Sequence, residues 1–195
     1  MESLQLEWII GAFLGIGLAT AAGFRVFLPL LALSLGMFFD YIPVKEGWEW
    51  LGSTAAVILL GTATIAEIGA YYIPWFDNVL DSIAVPLAGI CGTAVMFATL
   101  GDLPPWITWS LALIAGGGTA SIIAGTTAAI RGVSTASTAG LGNPVVSTVE
   151  TGVSGAMSFL ALFLPLIAFL GFLVILYLLF KGWKKIRLRG KNKSI

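Results

Sequence analysis

The sequence predicts an all-α polytopic membrane protein, with about five transmembrane helices and one broken or re-entrant segment. Three observations carry that expectation. The chain is 58% hydrophobic and 10% charged, with a mean hydropathy of +0.98, whereas soluble domains run about 25% charged. Apolar runs recur along its 195 residues, several of them reaching the roughly 18 residues that a bilayer crossing needs. Between two of these runs lies 131–150, RGVSTASTAGLGNPVVSTVE, which is polar yet ionised only at its two ends.

That stretch is where a site is expected. Gly140, Gly142 and Pro144 make it a poor spanning helix. An ordinary external loop would carry more charge. Irregular polar backbone at membrane depth is tolerated only when protein or a wet cavity surrounds it. Residues 131–150 are therefore expected to dip into the membrane. Ser134, Thr135 and Asn143 are its candidate polar lining, with Arg131 and Glu150 at its ends. In Asn143-Pro144 the Asn is expected to cap a short helix and the Pro to take the first turn.

The spans follow in order. The first, 8–38, would rise ~46 Å as one helix, more than a ~30 Å hydrocarbon core. It should tilt, kink or break, and Pro29 gives the reason, because it cannot donate to the carbonyl of Arg25. Residues 40–50 mix charges with Tyr41, Trp48 and Trp50 and read as a cytoplasmic interfacial loop. The second span, 52–73, carries Glu67 and ends in Tyr71, Tyr72 and Trp75, an aromatic belt expected at the outer surface. A connector with Asp77, Asn78 and Asp81 leads to 83–100, with Gly89 and Gly92. After a tight turn at 101–105, expected to be cytoplasmic, comes 106–130, where Gly116, Gly117 and Gly118 allow close helix packing. The fifth span, 151–180, holds Pro165. Residues 1–180 thus read as a single membrane domain, and 181–195 as a basic tail.

Charge sets the expected orientation. Seven of the last fifteen residues are Lys or Arg, so the C-terminus is cytoplasmic by the positive-inside rule. The first eight residues hold Glu2 and Glu7 and no basic residue, which puts the N-terminus outside and requires an odd number of crossings. That start also lacks the basic region of a signal peptide, so it reads as mature chain. The tail is expected to meet anionic lipid headgroups.

There is no His, and Cys91 is the one cysteine. This removes an intrachain disulfide, a thiolate metal cluster and the commonest general base. No catalytic residue, metal, cofactor or nucleic-acid partner is expected, and the protein reads as a non-enzyme.

Four charged residues fall where membrane depth makes charge expensive, at least about 2.5–3.5 kcal/mol each. They are Arg25, Glu67, Arg131 and Glu150. Two readings stand side by side. Functionally, the arginines would bind an anionic headgroup and a glutamate would carry a proton or cation. Structurally, buried ion pairs would fix helix register, and Glu150 would cap a helix start. Asp77 and Asp81, four residues apart on one helix face, could ligate a cation with Asn78 beside them. Alternatively they form a wet connector in which Asp77 caps a helix. A short internal repeat adds to this: Thr20–Arg25, TAAGFR, resembles Thr126–Arg131, TTAAIR. Three crossings between the two starts would make the copies inverted, which is a secondary-transporter plan.

Three stretches carry a resemblance. They are Gly17…Gly23-Phe24-Arg25…Pro29, 72–81 (YIPWFDNVLD), and Arg131…Ser134-Thr135…Gly140-Leu141-Gly142-Asn143-Pro144…Glu150. In these, over residues 10–175, the chain resembles an uncharacterised bacterial family of small integral-membrane proteins, domain of unknown function 4126. The resemblance implies a polytopic protein of the bacterial inner membrane and assigns no activity. The paired broken helices are also similar, at the level of fold only, to DedA-type lipid transporters. The leading expectation is a small transporter or lipid translocase acting on a small ion or amphiphile. The alternatives are a passive channel lined by hydroxyls, or a structural or accessory membrane protein. Membrane lipids are the expected partners, and a homodimer could pair through the glycine-rich fourth span.

Overall fold

A computed structural model describes residues 2–43, 46–73, 76–101 and 103–191, without the side chains of 2–5, 77–78 and 182–191. Among the described residues every regular element is helical. Four helical stretches are long and apolar enough to cross a membrane: Leu6–Phe24, Val79–Thr99, Pro105–Thr138 and Asn143–Phe163. Shorter apolar helices cover Phe27–Phe38, Thr54–Ala70 and Pro165–Lys181.

The first expected span is two helices. α1 (Glu2–Phe24) ends just before Arg25, and α2 (Phe27–Phe38) begins two residues later. The chain reverses there. Along α7 (Asn143–Phe163), α1 residues Gly17, Ala21 and Arg25 meet Ala161, Ser154 and Ser147. On the same helix, Leu28 and Gly36 of α2 line up with Gly155 and Leu162. α1 therefore runs against α7, and α2 runs with it. Pro29 does not kink a long helix. It occupies the first turn of α2, where its missing N–H has no partner to lose.

α3 (Thr54–Ala70) returns along α2, with Leu31 beside Gly61 and Val26 beside Glu67. α4 (Phe76–Thr99) runs back against α1, with Thr99 beside Gly11 and Met96 beside Gly15. α5 (Pro105–Leu111), a π-helical turn (Ala112–Gly117) and α6 (Gly118–Thr138) form one continuous rod. A four-residue link, 139–142, joins α6 to α7. The fifth expected span, 151–180, is likewise two helices: α7 ends at Phe163, and α8 (Pro165–Lys191) turns back along it, with Gly171 beside Met157. Seven helical passes separate the N-terminal end from the end of α8. The start of α1 and the end of α8 lie at opposite ends of the bundle.

Two expectations about loops change as a result. Counting 8–38 as one pass assigned each later loop to the wrong end. Residues 40–43, 46–50, 101 and 103–105 share the N-terminal end, where Trp8 borders Gly101 and the Phe97 ring packs at a tilt against Trp48 and Trp109. Residues 71–73 and 139–142 share the end where α8 finishes. Of the expected aromatic belt, Tyr71 is buried rather than interfacial, Tyr72 is exposed, and Trp75 lies outside the described residues.

α1 is the axis of the bundle, and Leu18, Ala19 and Ala21 are wholly enclosed. α4, α6, α7 and α8 pack around it. The glycines of the third and fourth expected spans close the α4–α6 contact. A Cβ at Gly92 would lie 2.6 Å from the Gly116 carbonyl oxygen, and one at Gly89 would lie 2.6 Å from Ser121 Oγ. Gly116 and Gly117 are thus used inside the chain. The outward faces carry Ile58, Leu59, Ile65, Ile90, Ile114, Ile122 and Val174, all exposed, which suits a lipid surround.

The helices ending in the two arginine motifs, α1 and α6, both run against α4 and hence run parallel. That is not the arrangement of inverted copies. The α1–α2 and α6–α7 hairpins point the same way, and their arginines converge.

Candidate functional site

Five ionisable side chains gather where these hairpins meet. Arg25 sits at the α1–α2 turn and is 1% exposed. Its Nε donates to Thr151 Oγ1 at 3.0 Å, and Nη2 donates to the Ser147 carbonyl at 2.9 Å and to Ser147 Oγ. Nη2 also lies 3.8 Å from Glu150 Oε2. Arg131 on α6 reaches two carboxylates: Nη2 is 2.9 Å from Glu150 Oε2, and Nη1 is 3.0 Å from Asp81 Oδ1. Both guanidiniums lie over the Tyr71 ring, each 4.1 Å from its centroid. Cation–π attraction strengthens when the pair is out of water.

Glu67 plays a different part. Its Oε1 accepts the Val26 N–H at 2.8 Å and its Oε2 the Phe27 N–H at 3.0 Å. Those amides open α2, where no intrahelical acceptor exists. A carboxylate on α3 thus caps a helix from outside the α1–α2 hairpin. The reversal after Arg25 strips the backbone of partners, and Glu67 supplies them.

The cluster is not at mid-bundle. α6 continues from Arg131 to Thr138, ~10 Å at 1.5 Å per residue, and α4 begins only ~8 Å before Asp81. The site therefore lies one to two turns inside the end where α8 finishes.

The stretch 131–150 does break at its glycines. Ala139 and Gly140 take positive φ, 52° and 86°, and Gly140 does so without strain. The break is confined to four residues. Residues up to 138 complete α6, and those from 143 begin α7. Pro144 takes the first turn as expected. Asn143 does not cap the helix: Gly142 holds that position, and Asn143 Nδ2 donates across the hairpin to Thr135 Oγ1 at 2.9 Å. Ser134 sits under the link, where a Cβ at Gly142 would meet its Oγ. Glu150 is no helix cap either. It lies two turns inside α7, buried at 4% exposure.

Asp81 pairs with Arg131. The side chains of Asp77 and Asn78 lie outside the described residues. No group of three metal-ligating side chains occurs among the described residues.

Tyr71, Ser147, Thr151, Ser154 and Ser158 were missed as contributors. Ser147, Ser154 and Ser158 join the expected Asn143 and Glu150 as residues buried along α7, with successive spacings of four, three, four and four from Asn143 to Ser158. That is a helical stripe, and it could have been found by asking which polar residues recur at 3.6. Tyr71 follows Glu67 by one turn, on the same face. Ser154 Oγ donates to the Ala21 carbonyl at 3.0 Å, and Ser158 lines a cavity of about 290 Å³ between α2 and α7.

A groove of about 390 Å³ adjoins the cluster between α3 and α4, which barely touch each other. Its walls are apolar (Ala63, Ala66, Leu80, Ile83 and Leu87 among them), and Glu67 and Tyr71 stand at its inner side.

A family model described as a domain of unknown function, DUF4126, matches residues 12–185. The chain belongs to this family. The match takes in both hairpins and every charged residue of the cluster. No curated protein and no solved structure matches the chain, so the fold-level likeness to DedA-type transporters gains no support. What this DUF4126 chain adds to its family's description is a buried Arg–Glu site beside an apolar groove.

Proposed function

We propose that the protein is a small membrane transporter or lipid translocase, with Arg25, Glu67, Asp81, Arg131 and Glu150 as its polar site. The observation that carries this reading is the groove. An apolar channel open between two barely touching helices suits an acyl chain. It ends at Tyr71 and Glu67, and the guanidinium pair lies directly behind the Tyr71 ring. A headgroup arriving there needs only the tyrosine to turn aside. The protein is placed in the bacterial inner membrane, C-terminus cytoplasmic and N-terminus outside, with membrane lipids as its partners and no enzymatic reaction.

In this reading the re-entrant element is the α1–α2 hairpin. α2 has 12 residues, a rise of ~18 Å, too short to cross a ~30 Å core. Its tip at Arg25 is roofed by α6 and α7, which is the shelter that non-helical backbone needs at depth. Residues 131–150 are then the tip of the α6–α7 pair.

A structural reading has one specific observation in its favour: both Glu67 oxygens serve the start of α2. The two readings separate in vesicles holding a fluorescent short-chain phospholipid that is bleached by an impermeant reductant. Transport predicts bleaching beyond the outer leaflet. It also predicts that Ala66→Trp, which fills the groove from an exposed position, folds normally and slows that bleaching at least tenfold. Protein-containing vesicles that bleach no further than empty ones would leave only the structural reading.

A further inference from the structure

Among the described residues the cluster does not balance its charge. Two guanidiniums face three carboxylates, those of Glu67, Asp81 and Glu150, so full ionisation leaves one uncompensated negative charge in a buried site. Helix ends do not supply the missing half charges. The negative C-terminal end of α1 and the positive N-terminal end of α2 meet at Arg25–Val26, and their contributions oppose each other. Arginine holds its proton throughout. A buried net charge is costly unless it is paired, so the excess is best removed by a proton on one carboxylate.

The three acids are not equivalent. Glu67 has both oxygens occupied by amide donors at 2.8 and 3.0 Å, and amides stabilise the ionised form. The Asp81 side chain is 14% exposed and 3.0 Å from Arg131 Nη1, so it has a close cationic partner and is the least enclosed of the three. Glu150 presents a single oxygen to both guanidiniums, at 2.9 and 3.8 Å. Its other oxygen, Oε1, is buried without a hydrogen bond. We propose that Glu150 carries an exchangeable proton, and that the cluster alternates between a charge-balanced protonated form and a singly negative one.

The groups that face Glu150 are Arg131 from α6, Arg25 from the α1–α2 turn, Asp81 from α4, and Glu67 and Tyr71 from α3. Arg25 keeps Ser147 and Thr151 as acceptors in either form, so the hairpin tip does not depend on the proton. Ser154 and Ser158 continue the polar stripe of α7 beyond Glu150 to the mostly apolar groove between α2 and α7. The proton would come from water and return to water, with no other bond changed.

The proposal rests on the same cluster as the transport reading but is tested without flux. The full chain in lipid film is titrated by infrared spectroscopy, following the carbonyl band of protonated carboxylic acid. Exposed glutamates also absorb once the pH falls to about 4, so the expected result is a component of that band beyond theirs, which appears as pH falls, shifts on ¹³C-labelling of glutamate carboxyls, and is lost in Glu150→Gln. The amide band reports whether that variant stays helical. If it does not, Glu67→Gln decides, because the extra ¹³C-sensitive component must survive there. An extra component absent at every pH at which the helices persist, insensitive to the glutamate label, present in Glu150→Gln or lost in Glu67→Gln would overturn the proposal. Flux silence alongside a titrating Glu150 would sink transport alone. Flux without that component would sink the proton alone.

Discussion

Glu67 caps the first turn of α2 at Val26 from a different helix, with a carboxylate oxygen 2.8 Å from the Val26 amide. The sharp reversal at Arg25 is stable because of this bond and its neighbour to Phe27. Glu67→Ala leaves two buried amides with no acceptor, which costs about 2 kcal/mol. Glu67→Gln keeps one carbonyl oxygen as acceptor and should lose roughly half as much. Unfolding of the purified protein in mixed micelles measures both. Equal stability of Glu67→Ala and the parent would show that the cap does not hold the hairpin.

Arg131 joins α4 to α7 through Asp81 and Glu150. Arg131→Ala takes the nearest cation from buried Glu150 and part-buried Asp81, and removing one partner of a buried pair costs about 3–5 kcal/mol. Adding Glu150→Gln removes one of the stranded charges, so the double variant should be more stable than Arg131→Ala alone. Additive losses in the same unfolding assay would mean that the two side chains are not coupled.

Much of this site was legible because charge is rare in the chain. Arg25, Glu67, Arg131 and Glu150 stand out against apolar neighbours, and the structure brings all four together with Asp81. The partners were harder to see. Ser147, Thr151 and Tyr71 are ordinary residues that matter only because the hairpins place them, although the helical spacing of the α7 stripe was available. The glycine-rich link was readable as a break, because Gly140, Gly142 and Pro144 each disfavour helix. Its extent was not, since tertiary packing carries α6 on to Thr138 and starts α7 at Asn143. The reversal at Arg25 left the faintest trace. No glycine or proline occupies Arg25 or Val26, and the acceptor that makes the turn affordable is Glu67, distant in sequence. Missing that one turn reversed the inferred side of every later loop.

The corrected pass count makes a topological prediction. Tyr41 and Leu141 are 73% and 85% exposed, and they lie at opposite ends of the bundle. In a background lacking Cys91, Tyr41→Cys and Leu141→Cys should label with an impermeant reagent from opposite faces of sealed vesicles. The positive-inside rule puts Leu141 on the cytoplasmic face with the tail. Labelling of Tyr41 from the cytoplasmic face and Leu141 from the outer face would restore 8–38 as a single crossing and exclude the α1–α2 hairpin.

Glycine positions on α4 and on the α5–α6 rod separate packing from mere composition. A Cβ at Gly116 would run into the Gly92 carbonyl and Met96 Cβ, whereas one at Gly125 would meet nothing within 4 Å. The backbone at Gly92 cannot retreat, because α4 is pressed against the central helix on its other side. Gly116→Val should therefore cost about 1–3 kcal/mol by overpacking. Gly125→Val should stay within about 0.5 kcal/mol of the parent. Unfolding midpoints of the two variants, read side by side, check this. A tolerant Gly116 would mean that α4 and α6 are farther apart than the contact described here, and the alignment of Asp81 with Arg131 would lose its support.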